Sequence, residues 1–163
     1  METETKQEGD KMVPWIKEAW CAWLENPKRQ QCQGVLKHVN TEGGSRYCCL
    51  GGLEELFQFF VGESEWATLS PEPDTMGIIP EDTLGVGALT TTVNELGYKA
   101  VLSHKCMAWA GLTQTNPIVE VLTDDYPELC SLYAGRSQLV ALSRLNDAGA
   151  PFTKIAALIR EQL

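Results

Sequence analysis

A single α+β domain is the fold class this sequence predicts: a short antiparallel hairpin packed on several helices, closed by a C-terminal helical hairpin. Three observations lead there. An apolar stripe with helical spacing begins at Pro14. Two short β-type runs flank a Gly43-Gly44 turn. Behind Cys48-Cys49 the apolar period changes to three and four, and that period returns in the last quarter of the chain. With 163 residues, 44% of them hydrophobic and 21% charged, the composition is that of a globular domain whose core needs neither a disulfide nor a metal.

Residues 1–11 are acidic and polar after Met1 and predict a disordered leader; residues 12–163 form the globular domain. Pro14 suits the first turn of a helix, where its missing N–H is no loss. Trp15, Ile16, Ala19, Trp20, Trp23 and Leu24 then make one wide stripe, ending near Asn26-Pro27. The three tryptophans are expected to be an aromatic core face, because an acidic chain lacks the cationic groove of a base-stacking platform. Lys28-Arg29-Gln30-Gln31 is a polar connector. Val35–Val39 reads as a strand, Thr41–Ser45 as a turn and Arg46-Tyr47-Cys48 as the returning strand.

Leu50, Leu53, Leu56, Phe57, Phe60 and Val61 predict a core helix with Glu54, Glu55 and Gln58 outward, closed by Gly62. Residues 63–100 are a loop-rich insertion holding Pro71, Pro73 and Pro80, with short extended pieces near 66–69 and 76–79 and a short helix over 89–96. Ser103 caps a helix over His104–Ala110 that Gly111 stops, and Ile118–Thr123 reads as a strand. Ser137 is expected to cap a helix through Leu139, Val140, Leu142 and Leu145, and Pro151 to start the last helix, with Phe152, Ile155, Ala156 and Ile159 on its apolar face.

The formal charge of −9 excludes sequence-independent nucleic-acid binding, which needs Lys and Arg to replace phosphate counterions. No apolar run approaches the roughly 20 residues of a membrane helix. With no apolar segment in the acidic leader, a cytosolic protein with reduced thiols is expected.

Cys48 and Cys49 sit where a helix begins, and a helix N-terminus favours the thiolate. His38, one hairpin away, is the candidate base for a Cys-dependent hydrolase; against it, a Cys among large apolar residues is more often a small buried hydrophobe. Cys32, Cys48, Cys49, His104 and Cys106 supply enough ligand types for zinc, but His104-x-Cys106 is the only close pair and no C-x₂-C occurs. Asp124-Asp125 and Glu54-Glu55 are adjacent, which suits solvated surfaces better than convergent acid–base work. Gly85-Val86-Gly87 lacks the Gly-Lys-Ser/Thr of a phosphate loop. Nothing in the sequence asks for a cofactor.

Several landmarks occur in one order: Trp15-Ile16 with Trp23-Leu24, Gln33-Gly34-Val35-Leu36, Tyr47-Cys48-Cys49-Leu50-Gly51, Trp109-Ala110-Gly111-Leu112, and Leu142-Ser143-Arg144-Leu145-Asn146-Asp147-Ala148-Gly149 followed by Phe152. Together they resemble a family of small bacteriophage-encoded proteins of uncharacterised function. Gly52 departs from the pattern, standing where an aliphatic residue is expected, and 63–100 has no counterpart in it. The resemblance implies a phage origin and the cytoplasm of the bacterial host, and carries over no catalytic residue. It favours an accessory protein that acts by stoichiometric binding of a host protein or a small nucleotide signal, as an inhibitor of host defence or a sponge. The acidic 63–100 region is the expected contact for a basic protein; Lys28, Arg29, Arg46 and Tyr47 are the expected contacts for a phosphate-bearing ligand. The Cys-dependent hydrolase and a structural homo-oligomer are the competing readings.

Overall fold

A helix that begins directly behind a β-strand, α2 (Cys49–Phe60), packs against the first helix, the strand before it and two of the later helices. The computed structural model describes residues 11–40, 42, 44–63, 66–68, 75–77, 101–129 and 135–163. The expected helix over 89–96, nearly all of the acidic leader and most of the 63–100 insertion lie outside the described residues. The architecture is α+β, as the sequence predicts.

The first helix, α1 (Pro14–Glu25), has Pro at its start and buries Ile16, Trp20, Cys21, Trp23 and Leu24. Trp15 leaves the expected stripe and stands half exposed. Behind α1 come β1 (Lys37–Val39) and β2 (Ser45–Tyr47), antiparallel with Lys37 opposite Tyr47 and His38 opposite Arg46. Asn40 closes their turn by accepting the N–H groups of Glu42 and Gly44, an Asx-type turn. Two short strands, β3 (Ala67–Thr68) and β4 (Thr75–Gly77), complete a sheet of order β2-β1-β4-β3.

α2 buries a different face from the one its leucines and phenylalanines suggest. Leu50, Leu53, Glu54 and Phe57 are fully enclosed, while Phe60 and Val61 are turned to the surface. The face is rotated because α2 is wedged between two neighbours. Gly51 and Gly52 meet β1's approach and α1 on one side; Glu54 faces the start of α3 (His104–Ala110) on the other. Gly62 ends α2 with φ 72°, as its sequence position predicts. Ser103 accepts the Cys106 N–H and Gly111 adopts φ 77°, so α3 has both expected ends.

The C-terminal third corrects one expectation. Ser137–Ala141 is a strand, β6, paired antiparallel with β5 (Ile118–Leu122), and the helix that follows, α4 (Leu142–Asp147), is short. Leu139, Val140 and Leu142 fit either period locally; the ladder to β5, which sets Val140 against Val119 in the core, decides it. Between β5 and β6 lie two 3₁₀ turns, Thr123–Asp125 and Pro127–Leu129. Gly149 (φ 98°) turns the chain into the last helix, α5 (Phe152–Gln162). α5 packs along α1, with Arg160 reaching Glu25 at 2.5 Å and Glu18 at 3.4 Å. The backbone of Met12 and Val13 ties into Leu163 and Ala110, so the start of α1 closes against both α5 and α3.

Candidate functional site

Two regions of α2 compete for a functional role: its beginning, where the paired cysteines stand, and its exposed aromatic end.

At the beginning, Cys48 is the N-cap residue and its sulfur accepts the Gly51 N–H at 3.4 Å. Cys49 opens the helix, its N–H donating to Asn146 Oδ1 at 3.0 Å and its thiol to the Leu142 carbonyl. Both side chains are fully buried. Burial pushes the Cys48 thiol up to about 12 against the opposing pull of the Gly51 N–H. It pushes Cys49 well above the usual thiol range, with Cys48 adding to the effect. The helix N-terminus therefore does not yield a thiolate here; desolvation wins. His38 lies on β1 opposite Arg46 and not in the layer that encloses the two sulfurs.

What holds this junction is Asn146, whose amide fills its hydrogen-bonding capacity. Oδ1 accepts from Cys49 N and from Gln31 Nε2, both at 3.0 Å. Nδ2 donates to the Cys32 carbonyl at 2.7 Å and to Asp147 Oδ1 at 3.4 Å. Asp147 Oδ1 also accepts the Gly34 N–H at 2.8 Å. So the Leu-Asn-Asp segment clamps the 31–34 loop and caps α2 from a distant part of the chain. Trp20 adds a hydrogen bond from its indole to the Cys49 carbonyl, 2.9 Å. A Cβ on Gly51 would stand 1.9 Å from the Leu36 carbonyl oxygen, and one on Gly52 would stand 2.5 Å from the Trp23 ring. In this chain, the space an aliphatic side chain would take at Gly52 is occupied by that indole.

The predicted anion contacts are distributed rather than gathered. The Arg29 guanidinium lies 4.8 Å from the Trp23 ring centre, and Lys28 is exposed beside it. Tyr47 is buried, edge-on to Trp23 at 5.1 Å, and burial pushes its hydroxyl up to about 12 with Glu55 contributing. Arg46, its neighbour on the strand, is exposed on the opposite face. The cation that does join Tyr47 is Lys37, whose ammonium sits between Tyr47 and Trp66 at 5.3 and 5.1 Å. Lys37 lies 3.9 Å from Glu55, which also accepts the Trp66 indole N–H, so this charge is already neutralised.

His104 and Cys106 do not converge: His104 is exposed and Cys106 is buried, as positions two apart on a helix require. The Cys106 thiol instead lies against the buried Glu54 carboxyl, with burial the larger cause of its raised pKa and Glu54 the next. Among the described residues no group of His, Cys, Asp and Glu is placed to hold a metal ion. A shallow cleft between Leu112, Pro117, Ile118 and Leu163 encloses about 210 Å³, below the roughly 300 Å³ at which small-molecule sites begin.

The aromatic end of α2 is of another kind. Phe59 is 80% exposed, Trp15 52% and Phe60 51%. They form a contiguous edge-to-face cluster: Phe59 to Phe60 at 5.1 Å, Phe60 to Trp15 at 5.3 Å and Trp15 to Trp109 at 5.7 Å. Trp109 rests on the buried Phe57 at 5.5 Å, so the cluster is anchored in the core. Side chains from α1, α2 and α3 thus present one contiguous aromatic surface, the residue type that dominates protein–protein contact energy. Sequence periodicity assigned Trp15 and Phe60 to the core and did not single out Phe59. The available signal was the run Phe59-Phe60-Val61, because three successive helical residues span too much of the circumference to share one buried stripe.

Residues 12–163 match a family described as a domain of unknown function, DUF8296. The chain belongs to that family. Neither the curated proteins nor the solved structures contain a match to it. No described helix is long and apolar enough to cross a membrane.

Proposed function

We propose that this protein is a phage accessory protein that acts in the bacterial cytoplasm by stoichiometric binding of a host protein, as an inhibitor of host defence. The observation that carries the reading is the exposed cluster of Trp15, Phe59 and Phe60, backed by the half-buried Trp109, on a three-helix support. A contiguous exposed aromatic surface marks an interaction site in a soluble domain. The enzyme reading loses its support because Cys48 and Cys49 are enclosed and held as thiols. The nucleotide-sponge reading is less well supported, since Lys28, Arg29 and Arg46 are dispersed over exposed positions.

The test is capture from host lysate by immobilised wild-type protein and by a Phe59→Ser/Phe60→Ser variant, followed by the mass of the purified complex. One host protein held near one-to-one by the wild type and lost by the variant is the expected result. Equal capture by both proteins, or a small molecule released on denaturation with no protein retained, would overturn it.

A further inference from the structure

The two-stranded ribbon β5–β6 treats its two outer edges differently. Val119 and Val121 pair inward with Val140 and Gln138, so the N–H and C=O of Glu120 point away from β6, and those of Leu139, opposite Glu120, point away from β5. On the β5 side the open groups are closed: Gln162 Oε1 accepts the Glu120 N–H and Gln162 Nε2 donates to the Glu120 carbonyl, both at 2.7 Å. The side-chain amide of α5 stands in for a neighbouring strand. On the β6 side, among the described residues, no such partner meets Leu139, whose side chain is 71% exposed. The strip from Ser137 to Ser143 also lacks the lysines, prolines and bulges with which proteins blunt an open edge.

We propose that β6 is a dimerisation edge, at which a second copy of this chain adds antiparallel about a two-fold axis through Leu139. The open groups are complementary to themselves. With Leu139 opposite its own copy, each Leu139 N–H meets the other's Leu139 carbonyl, and each Ala141 N–H meets the other's Ser137 carbonyl, in an isologous pairing. The Ala141 carbonyl is already engaged as the first acceptor of α4. Charge selects the same occupant. Each chain carries −9, yet Ser137–Ser143 is uncharged, and Glu120, the nearest acid on this face, is taken up by the Ser137 hydroxyl. Two copies therefore meet along an edge strand whose own side chains set no charge against charge. The contact is small beside the roughly 800 Å² per subunit of a stable complex, so the dimer is a reversible, concentration-dependent one. This inference is independent of what binds the aromatic end.

Sedimentation velocity from micromolar to near-millimolar concentration tests it, on wild type, Leu139→Pro, Leu139→Lys and Leu122→Lys. Pro at 139 removes an N–H that the β5–β6 ladder does not use; Lys places a charge on the axis and serves if the Pro variant does not fold. The wild type is expected to shift from monomer to dimer, both Leu139 variants to stay monomeric, and Leu122→Lys, on the same sheet face but on β5 and so off the pairing edge, to dimerise like wild type. In the dimer, exchange of the Leu139 amide hydrogen is expected to slow by about tenfold or more. A wild type that stays monomeric, Leu139 variants that still dimerise, or a Leu122→Lys variant that dissociates as fully as they do would overturn the edge pairing.

Discussion

The two ends of α2 differ in what their side chains are for. At the beginning, polar groups from distant parts of the chain are gathered into one clamp: Cys49 N–H, Gln31, Cys32 and Gly34 all converge on Asn146 and Asp147. At the other end, large aromatic rings are left to solvent although the same helix has a core to hide them in. A residue pair that looks reactive in the sequence turns out to be held for packing, and a run that looks like core turns out to be surface. Burial and hydrogen bonding, more than residue type, separate scaffold from contact surface.

The largest break in this contrast is expected from Gly51→Ala. Its Cβ would meet backbone, the Leu36 carbonyl, which has no rotamer to yield. A loss of about 4 kcal/mol or more, or failure to fold, is expected in urea unfolding. Asn146→Ala comes next. It orphans the Cys49 N–H and the Cys32 carbonyl in a buried site, with an expected cost of about 3 kcal/mol in the same measurement.

Between the two ends lies Glu54, whose position no pattern in the sequence foretold. Its carboxyl is buried, accepts the Ser103 N–H, and has its pKa raised by desolvation. A carboxyl whose folded pKa exceeds its unfolded value adds stability that is fully present below the unfolded pKa. That contribution is lost as pH rises through the folded one. Wild type is therefore expected to weaken relative to Glu54→Gln as pH is raised from about 4.5, while the two converge in acid. Urea midpoints across that range check the sign; a wild type that gains on the variant with rising pH would contradict it. The smallest expected effect on stability is that of Phe59→Ser, within about 0.5 kcal/mol, together with loss of partner capture. The same substitution costing as much as Asn146→Ala would place Phe59 with the scaffold.

Local signals were legible wherever the chain decides for itself. Pro14, Ser103, Gly62 and Gly111 stand where the helices begin and end, and the Asn40–Gly44 turn joins the two strands foreseen around it. What was not legible depends on a distant neighbour. Ser137–Ala141 becomes a strand because β5 is there to pair with it. Glu54 turns inward because the start of α3 offers it an N–H. The Cys-Cys and Leu-Asn-Asp segments were each distinctive, but nothing in either shows that Asn146 caps the helix opened by Cys49.

The central claim is that the cysteine junction is scaffold, and alkylation of the native protein with iodoacetamide at neutral pH, read by peptide mass spectrometry, tests it most directly. Cys48 and Cys49 are expected to stay unmodified while the protein is folded and to label once urea unfolds it. Half-buried Cys32, its thiol pushed up by burial to about 11, serves as the internal comparison. Labelling of Cys48 or Cys49 in the folded protein as fast as in urea would contradict the account and return the pair to candidacy as a nucleophile.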